Sequence, residues 1–289
     1  MSGNVTKTKK TTPLIKWVGG KRQLLSVIHE NMPKDFNTYF EPFFGGGALF
    51  FDLQPKASVI NDFNPQLANL YKQVKSKRKM FTALLSAWEN EYNSIPEMDD
   101  KNAYYYTKRK QYNDCLTDNE LSVKSAALLV FLNKAGFNGL YRVNQGGLYN
   151  VPPAHRETLH LFDEENVKSV SAALRHTKIY AGDFEKACAS AQAGDFVFFD
   201  SPYYDTFDTY QAGGFSADDH RRLFELFRNL TGRGVYCMAT NNSCDYIREL
   251  YAGYRILTLP VKRMVNRDAN KRTGEEVMIM NYSENGRLM

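Results

Sequence analysis

Along the chain, short runs of aromatic and β-branched residues alternate with segments whose apolar positions recur every three or four residues. The runs NTYFEPFF (37–44), ASVIN (57–61), KIYAGDF (178–184), FVFFD (196–200), VYCMATNN (235–242) and EVMIMNY (276–282) read as strands. DDHRRLFELFRNL (218–230) and SCDYIRELY (243–251) read as amphipathic helices between them. Strands alternating with helices predict an α/β fold with a mainly parallel, doubly wound sheet. Ligands of such sheets lie beyond the carboxyl ends of the strands. Asp62, Asp183 and Asp200 all fall at such ends.

One interval breaks the alternation. More than a hundred residues separate ASVIND from KIYAGDF, far more than a crossover needs, and long structureless loops are rare. The interval reads as helical: NPQLANLYKQVK, RKMFTALLSAWENEY, AYYYTKRKQYNDC and LSVKSAALLVFLNKAG. FNGLYRVNQGGLYNVP (137–152) follows, and Gly146-Gly147 between two short aromatic runs marks a hairpin tip. A mainly helical insertion over 68–172, carrying the 137–152 hairpin, is therefore expected to interrupt a sheet domain made of 1–67 and 173–289.

Charge adds a candidate partner. Over 289 residues the net charge is +5, and the basic residues cluster. Lys7, Lys9, Lys10, Lys16, Lys21 and Arg22 fall within the first 22 residues without an acid among them. Lys72, Lys75, Lys77, Arg78 and Lys79 form a second cluster, and Lys108, Arg109 and Lys110 a third. Lys262, Arg263, Arg267, Lys271 and Arg272 surround a single Asp268 in a fourth. Each alone is a solvated face; four together favour a nucleic acid. The loop 261–274, with Lys262 and Arg267, is expected to lie along phosphates. The four cysteines have no metal-ligand spacing and read as reduced thiols of a cytoplasmic protein. The five histidines form no triad or ligand pattern, and no metal is expected. No apolar run is long enough to span a membrane, and the polar start, MSGNVTKTKKTTP, reads as a flexible arm.

FEPFFGGGALFF (40–51) is a strand, a triple-glycine turn and a helix start. Such turns serve dinucleotides, nucleotides and S-adenosylmethionine, and also plain structural turns. Asp62, at the end of the next strand, is placed to accept hydrogen bonds from two ribose hydroxyls. Turn and acid together argue for an adenosine-like cofactor. The absence of GxGxxG and of a P-loop argues against a nicotinamide dinucleotide or a nucleoside triphosphate. Upstream, KWVGGK (16–21) puts a tryptophan, two glycines and a lysine before the first strand.

The ordered set KWVGGK, FEPFFGGG with IND, FNGLYRVN and DSPY (200–203) resembles the Dam-type DNA adenine-N6 methyltransferases, alpha class, of the D12 family. The resemblance runs from about residue 13 to residue 282. It implies a Rossmann-like class I methyltransferase sheet, S-adenosylmethionine as cofactor and double-stranded DNA as partner, with a monomer or weak dimer sufficient. Trp17 and Lys21 would lie by the cofactor, with Glu41, Phe43, Gly45 and Gly47 at its turn and Asp62 on its ribose. Asp183 and Phe184 would border its adenine. Asp200, Ser201, Pro202 and Tyr203 would form the catalytic tetrapeptide, Asp200 also touching the cofactor. Phe137 would wedge into the base stack, and Asn138 would support the opened pair. Leu140, Arg142 and Pro152 would read bases, and Lys16 would contact a guanine at the edge of a GATC site.

The chemistry fits these residue types. Adenine N6 is a poor nucleophile, because its lone pair is delocalised into the ring. It needs two acceptors for its two N–H bonds: the Asp200 carboxylate and the carbonyl of residue 201, aimed by Pro202. Tyr203 can stack on the ring. An adenine inside a duplex must first be flipped out, and a bidentate contact from Arg142 to a guanine would be worth ~1–3 kcal/mol. Two positions depart from the family. Ser201 stands where relatives carry a first proline, which removes a backbone restraint but keeps the carbonyl. NVPPAHRE (150–157) lacks the aromatic-glycine-basic continuation after NVP, so GATC is the expected site with its last contacts open. The alternatives are a catalytically impaired DNA-binding relative, supported by Ser201, and N-methylation of an RNA adenine or a protein glutamine.

Overall fold

The structure, a computed structural model, describes residues 11–204, 214–262 and 273–289. Lys7, Lys9, Lys10 and Arg267 lie outside the described residues, as does the side chain of Lys262. In chain order the strands are β1 (Tyr39–Glu41), β2 (Ser58–Asp62), β3 (Thr177–Ala181), β4 (Phe196–Phe199), β5 (Tyr236–Asn242), β6 (Arg255–Lys262) and β7 (Thr273–Met280). The helices are α1 (Leu25–Asn31), α2 (Ala48–Leu53), α3 (Pro65–Ser94), α4 (Met98–Thr117), α5 (Val123–Ala135), α6 (Glu164–Ala173), α7 (Phe184–Cys188), α8 (Ala217–Gly232) and α9 (Asp245–Leu250). The chain divides into two compact units. One gathers the described part of Met1–Gly20 with Gly46–Gln54 and Asn69–Arg175; the other gathers Lys21–Gly45, Pro55–Ala68 and His176–Met289.

The second unit holds the sheet. Among the described residues it has seven strands in the order β3-β2-β1-β4-β5-β7-β6. The first five of these run parallel. β7 is antiparallel to both β5 and β6. The alternating apolar pattern works as period 2 demands. Phe40, Val59, Val197, Phe199, Cys237, Ala239, Val277 and Ile279 pack one face against Leu223, Phe227 and Leu230 of α8. FVFF is buried along its whole length, as expected of a central parallel strand covered on both faces. β6 was not among the expected strands. Its run, RILTLPVK, carries Pro260, which an edge strand tolerates and a central one does not. The strand order reverses between β1 and β4, and the crevice of a doubly wound sheet opens at such a reversal.

The first unit is mainly helical. α3 spans both helices expected there and breaks between them, at Lys77 (φ −128°, ψ 35°). α5 starts from a capping box in which Ser122 and Ser125 satisfy each other's backbone N–H groups. Its ALLVFL core is wholly buried. The hairpin is sparer than continuous strands. A bridge pairs Val143 with Tyr149, and hydrogen bonds run from Asn144 N to Leu148 O and from Asn150 N to Arg142 O. α4 tethers its outgoing arm: Asn113 grips the backbone of Tyr149 at both N–H and C=O, and the Tyr105 hydroxyl donates to Val151 O. FNG, read as the start of the hairpin arm, is instead a 3-10 turn, Phe137–Gly139.

Candidate active site

In the second unit, four strand-end acids meet different environments. Asp200 follows β4 directly. Its Oδ1 lies 2.5 Å from the Nζ of Lys21, a lysine only 6% exposed. The hydroxyl of Thr240, on the neighbouring β5, donates to the same oxygen at 2.8 Å. The Lys21 ammonium also sits 4.7 Å from the centroid of the Tyr203 ring, within cation–π range. Tyr203 in turn donates its hydroxyl to Glu276 Oε2 of β7 at 2.5 Å. Burial first, then the Asp200 and Glu276 carboxylates, push the Tyr203 phenol far above its ordinary value, so it remains a hydrogen-bond donor. Ser201 is buried. Tyr204, which follows the tetrapeptide, is fixed too: its N–H donates to Asn241 Oδ1, and its carbonyl accepts from Asn242 Nδ2.

Asp62 closes β2. Its Oδ2 accepts the N–H of Gly45 at 2.8 Å, and its Oδ1 accepts that of Asn64 at 2.9 Å. Gly45 reaches this position with φ +50°, a conformation glycine adopts at little cost. Burial pushes the Asp62 carboxyl up to about 6, against the lowering effect of the two backbone N–H groups. Phe63, the next residue, is 57% exposed. Glu41, at the end of β1, is buried and accepts the Tyr39 hydroxyl at 2.8 Å. Phe43 packs against Phe184 and, edge-on, Phe215. Asp183, past the end of β3, caps α7 through Glu185 N–H and is bridged to Arg222 at 2.8 Å. Phe184 is buried beneath that guanidinium.

In the first unit, Lys16, Phe137, Asn138, Arg142 and Pro152 all have exposed side chains, and Leu140 is half-buried. Asn138 adopts φ +54° in the turn, an uncommon conformation for a residue with a side chain, and Phe137 beside it is 50% exposed. The Arg142 guanidinium bonds to Asn150, through Nε to Oδ1 at 2.7 Å and Nη2 to the carbonyl at 3.3 Å. Trp17 stacks obliquely on Tyr141, ring centroids 5.2 Å apart. Gly47, at φ +69°, precedes α2. A Cβ on Gly46 would lie 3.4 Å from that of Trp17, an ordinary contact, so the middle glycine of the triplet packs against the tryptophan.

The structure thus brings Lys21, Asp200 and Tyr203 into one cluster and Gly45 onto Asp62, while Trp17 and Gly47 belong to the unit that carries the hairpin. Three residues here were not singled out from the sequence: Thr240 and Glu276, which complete these contacts, and the exposed Phe63 beside Asp62. Only Phe63 had a local signal, an aromatic side chain following a strand-end acid. Among the described residues no group of His, Cys, Asp and Glu could hold a metal ion, and no helix is long and apolar enough to cross a membrane.

A seven-stranded sheet with an antiparallel β7, acids at the reversal point and a glycine turn bonded to the acid of the next strand is the arrangement of a class I methyltransferase. Comparison with known proteins narrows this. Residues 17–265 match the D12 class N6 adenine-specific DNA methyltransferases, and the chain belongs to that family. It is 38% identical over 278 residues to a type II methyltransferase of Lactococcus lactis subsp. cremoris, covering 93% of this chain and 95% of that protein. It is 39% identical over 287 residues to a type II methyltransferase of Methanocaldococcus jannaschii, covering 93% and 99%. It is 28% identical over 278 residues to the DNA adenine methylase of Haemophilus influenzae, covering 93% of each. The protein is accordingly an enzyme that transfers a methyl group to N6 of adenine in DNA.

Proposed function

We propose that the methyl donor is S-adenosylmethionine, that the target adenine is flipped out of duplex DNA, and that the site is GATC. The observation that carries the reading is the fixed Asp200–Tyr203 segment: Lys21 and Thr240 both hold Asp200 Oδ1, and Glu276 anchors the Tyr203 hydroxyl.

Residues of the second unit fit an adenosine-like donor. A half-buried carboxylate whose two oxygens each accept one backbone N–H keeps lone pairs for further donors, and ribose hydroxyls supply them. The exposed Phe63 offers a flat apolar face beside it. Lys21, Glu41, Phe43, Gly45, Asp62, Asp183, Phe184 and Asp200 are the proposed donor residues in this unit. In the first unit the proposed ones are Trp17 and Gly47. S-adenosylmethionine supplies, when bound, an electrophilic methyl on a sulfonium sulfur.

The chain's own residues then do the positioning. Asp200 Oδ2 and the Ser201 carbonyl accept the two N6–H bonds, drawing the nitrogen lone pair out of conjugation. The nitrogen so held would take the methyl that a bound donor supplies, and one N6 proton would pass to Asp200 or to water. The carboxylate opposes the positive charge that develops on nitrogen. Tyr203, held through its hydroxyl and set beside the Lys21 ammonium, is the proposed stacking ring. Most of the acceleration comes from such preset positions and dipoles.

Duplex recognition falls to the segment 68–172, proposed as the target-recognition domain, together with Lys16. Phe137, exposed beside the left-handed Asn138, has the placement a wedge needs. Arg142, Leu140, Pro152 and Lys16 supply the base contacts, and Arg142 must exchange Asn150 for a guanine. Lys262 and Arg267 add contacts to phosphates. The test is methyl incorporation from labelled S-adenosylmethionine into matched duplexes. The reading expects label at the adenine of GATC, none in a scrambled duplex, and an N6-methyladenine product. Equal labelling of both duplexes overturns the site, and labelling of single strands only overturns the flipping.

A further inference from the structure

Asn133 lies in the last turn of α5 and is almost completely buried. Its side chain makes no contact expected of substrate binding; it grips backbone. Oδ1 accepts the N–H of Lys16 at 2.9 Å, and Nδ2 donates to the carbonyl of Lys16 at 2.9 Å and to that of Gly139 at 2.7 Å. One amide thus satisfies the peptide groups of two segments that lie more than a hundred residues apart in sequence. The first leads into Trp17. The second is the turn that exposes Phe137. Two further contacts draw them together. Gly139 has φ +67°, and a Cβ there would lie 2.9 Å from Lys16 Cδ and 3.1 Å from Lys16 Cβ. Trp17 rests on Tyr141, two residues past the turn. Buried backbone groups need partners, so neither segment can shift without breaking bonds to the same side chain.

We propose that Asn133 is a positioning residue that couples donor occupancy at Trp17 to the DNA-reading turn at Phe137, so that methyl donor and duplex bind cooperatively. The inference rests on the reading above, in which Trp17 lies at the donor and Phe137 enters the base stack. Cooperativity of this kind requires a physical element that both ligands bias. A side chain bonded to both segments is such an element. An aspartate in its place would still accept from Lys16 N–H but would set a carboxylate oxygen against two carbonyls.

The test measures duplex affinity by fluorescence anisotropy with and without S-adenosylhomocysteine, and base extrusion by 2-aminopurine fluorescence at the target. The native protein is expected to bind the duplex on the order of tenfold tighter with the analogue present. In Asn133→Ala and Asn133→Asp each ligand alone should bind within about threefold of native, while the ratio falls towards one. A role confined to stability would lower the melting temperature and leave the ratio intact. Gly139→Ala, which crowds Lys16 and the Asn133 backbone carbonyl while keeping the Asn133 side chain itself, should lower the ratio as well. A folded Asn133 variant that keeps the native ratio overturns the proposal. So does a native protein with a ratio of one; methyl incorporation run in parallel shows whether the functional reading stands without it.

Discussion

β3 and β4 lie on either side of the β2–β1 pair, run parallel, and each delivers an aspartate just past its carboxyl end. Asp183, after β3, turns inward on its own neighbourhood: one oxygen caps a five-residue helix and the other meets Arg222, itself 43% exposed. Asp200, after β4, is held by residues from far along the chain, the buried Lys21 and the buried Thr240. Position at a strand end is therefore shared, and partnership is not. A capping carboxylate is occupied by geometry that its own helix requires. A carboxylate gripped at one oxygen by a buried cation and a buried hydroxyl is oriented. Asp62 falls between the two: it ties down the glycine turn through backbone N–H groups and is pushed up to about 6 by burial.

The largest expected effect separates Asp200 from Asp183. Asp200→Asn keeps the shape but replaces the proposed acceptor of an N6 proton by an amide donor or a neutral oxygen. Single-turnover methyl transfer should fall by roughly a hundredfold to a thousandfold. Asp183→Asn should leave that rate within about fivefold, because the amide oxygen still caps α7. Equal losses in the two variants would erase the comparison and make Asp183 a second reacting group.

Asp62 comes next, and its test is a pH profile. If the ionised carboxylate accepts ribose hydroxyls as proposed, donor binding should be level above pH 7 and weaken as pH falls through about 6. Asp62→Ala should weaken S-adenosylhomocysteine binding about 10–100-fold, the loss of hydrogen bonds to a charged group. Asp62→Asn should flatten the pH profile. Stability runs the other way. The folded value lies above the unfolded one, so the contribution of this group to folding is greatest below about pH 4 and is lost as pH rises through about 6. Calorimetry that finds native binding unchanged from pH 8 to pH 5 removes Asp62 from the donor site.

The sheet was readable because its strands are short apolar runs of the right length, and acids at their ends mark the carboxyl edge. The break in α3 was readable too, since the basic run at 75–79 interrupts the apolar period. β6 escaped because Pro260 reads as a breaker until the strand is known to lie at an edge. The DSPY segment stood out by its place at the end of a buried strand, but Thr240 and Glu276 did not. Their sequence neighbours are ordinary strand residues, and only the pairing of β5 with β4 and β7 sets them beside Asp200 and Tyr203. Asn133 is harder still. It sits inside an apolar helix, where sequence shows a polar residue among hydrophobes and nothing of the two backbone segments it bonds.

Asp183→Ala tests the capping half of the comparison on stability. Losing the cap should cost about 1 kcal/mol, and the exposed Arg222 pair should add at most about 1 kcal/mol more. Thermal unfolding of Asp183→Ala beside Asp183→Asn checks this: the asparagine keeps a capping oxygen and should recover most of the first contribution. A loss several times larger would mean that the α7 end carries a structural role beyond its cap.

The smallest effect is expected at Ser201, and it probes how firmly Asp200 is already held. Ser201→Pro would fix φ at the residue whose carbonyl is proposed as the second acceptor, and would restrict Asp200 as the residue before a proline. If Lys21, Thr240 and the buried setting already fix this segment, the extra restraint acts mainly on the unfolded chain. It should then stabilise the protein by about 0.4–1 kcal/mol and change the single-turnover rate by less than about fivefold, about 1 kcal/mol in the barrier. Parallel measurements of thermal unfolding and single-turnover methylation decide. A rate gain of a hundredfold or more would show that the carbonyl of residue 201 wanders in the native chain. A variant that methylates where the native protein is inert would make the native chain an impaired DNA-binding relative, with Asp200 oriented but its partner acceptor not.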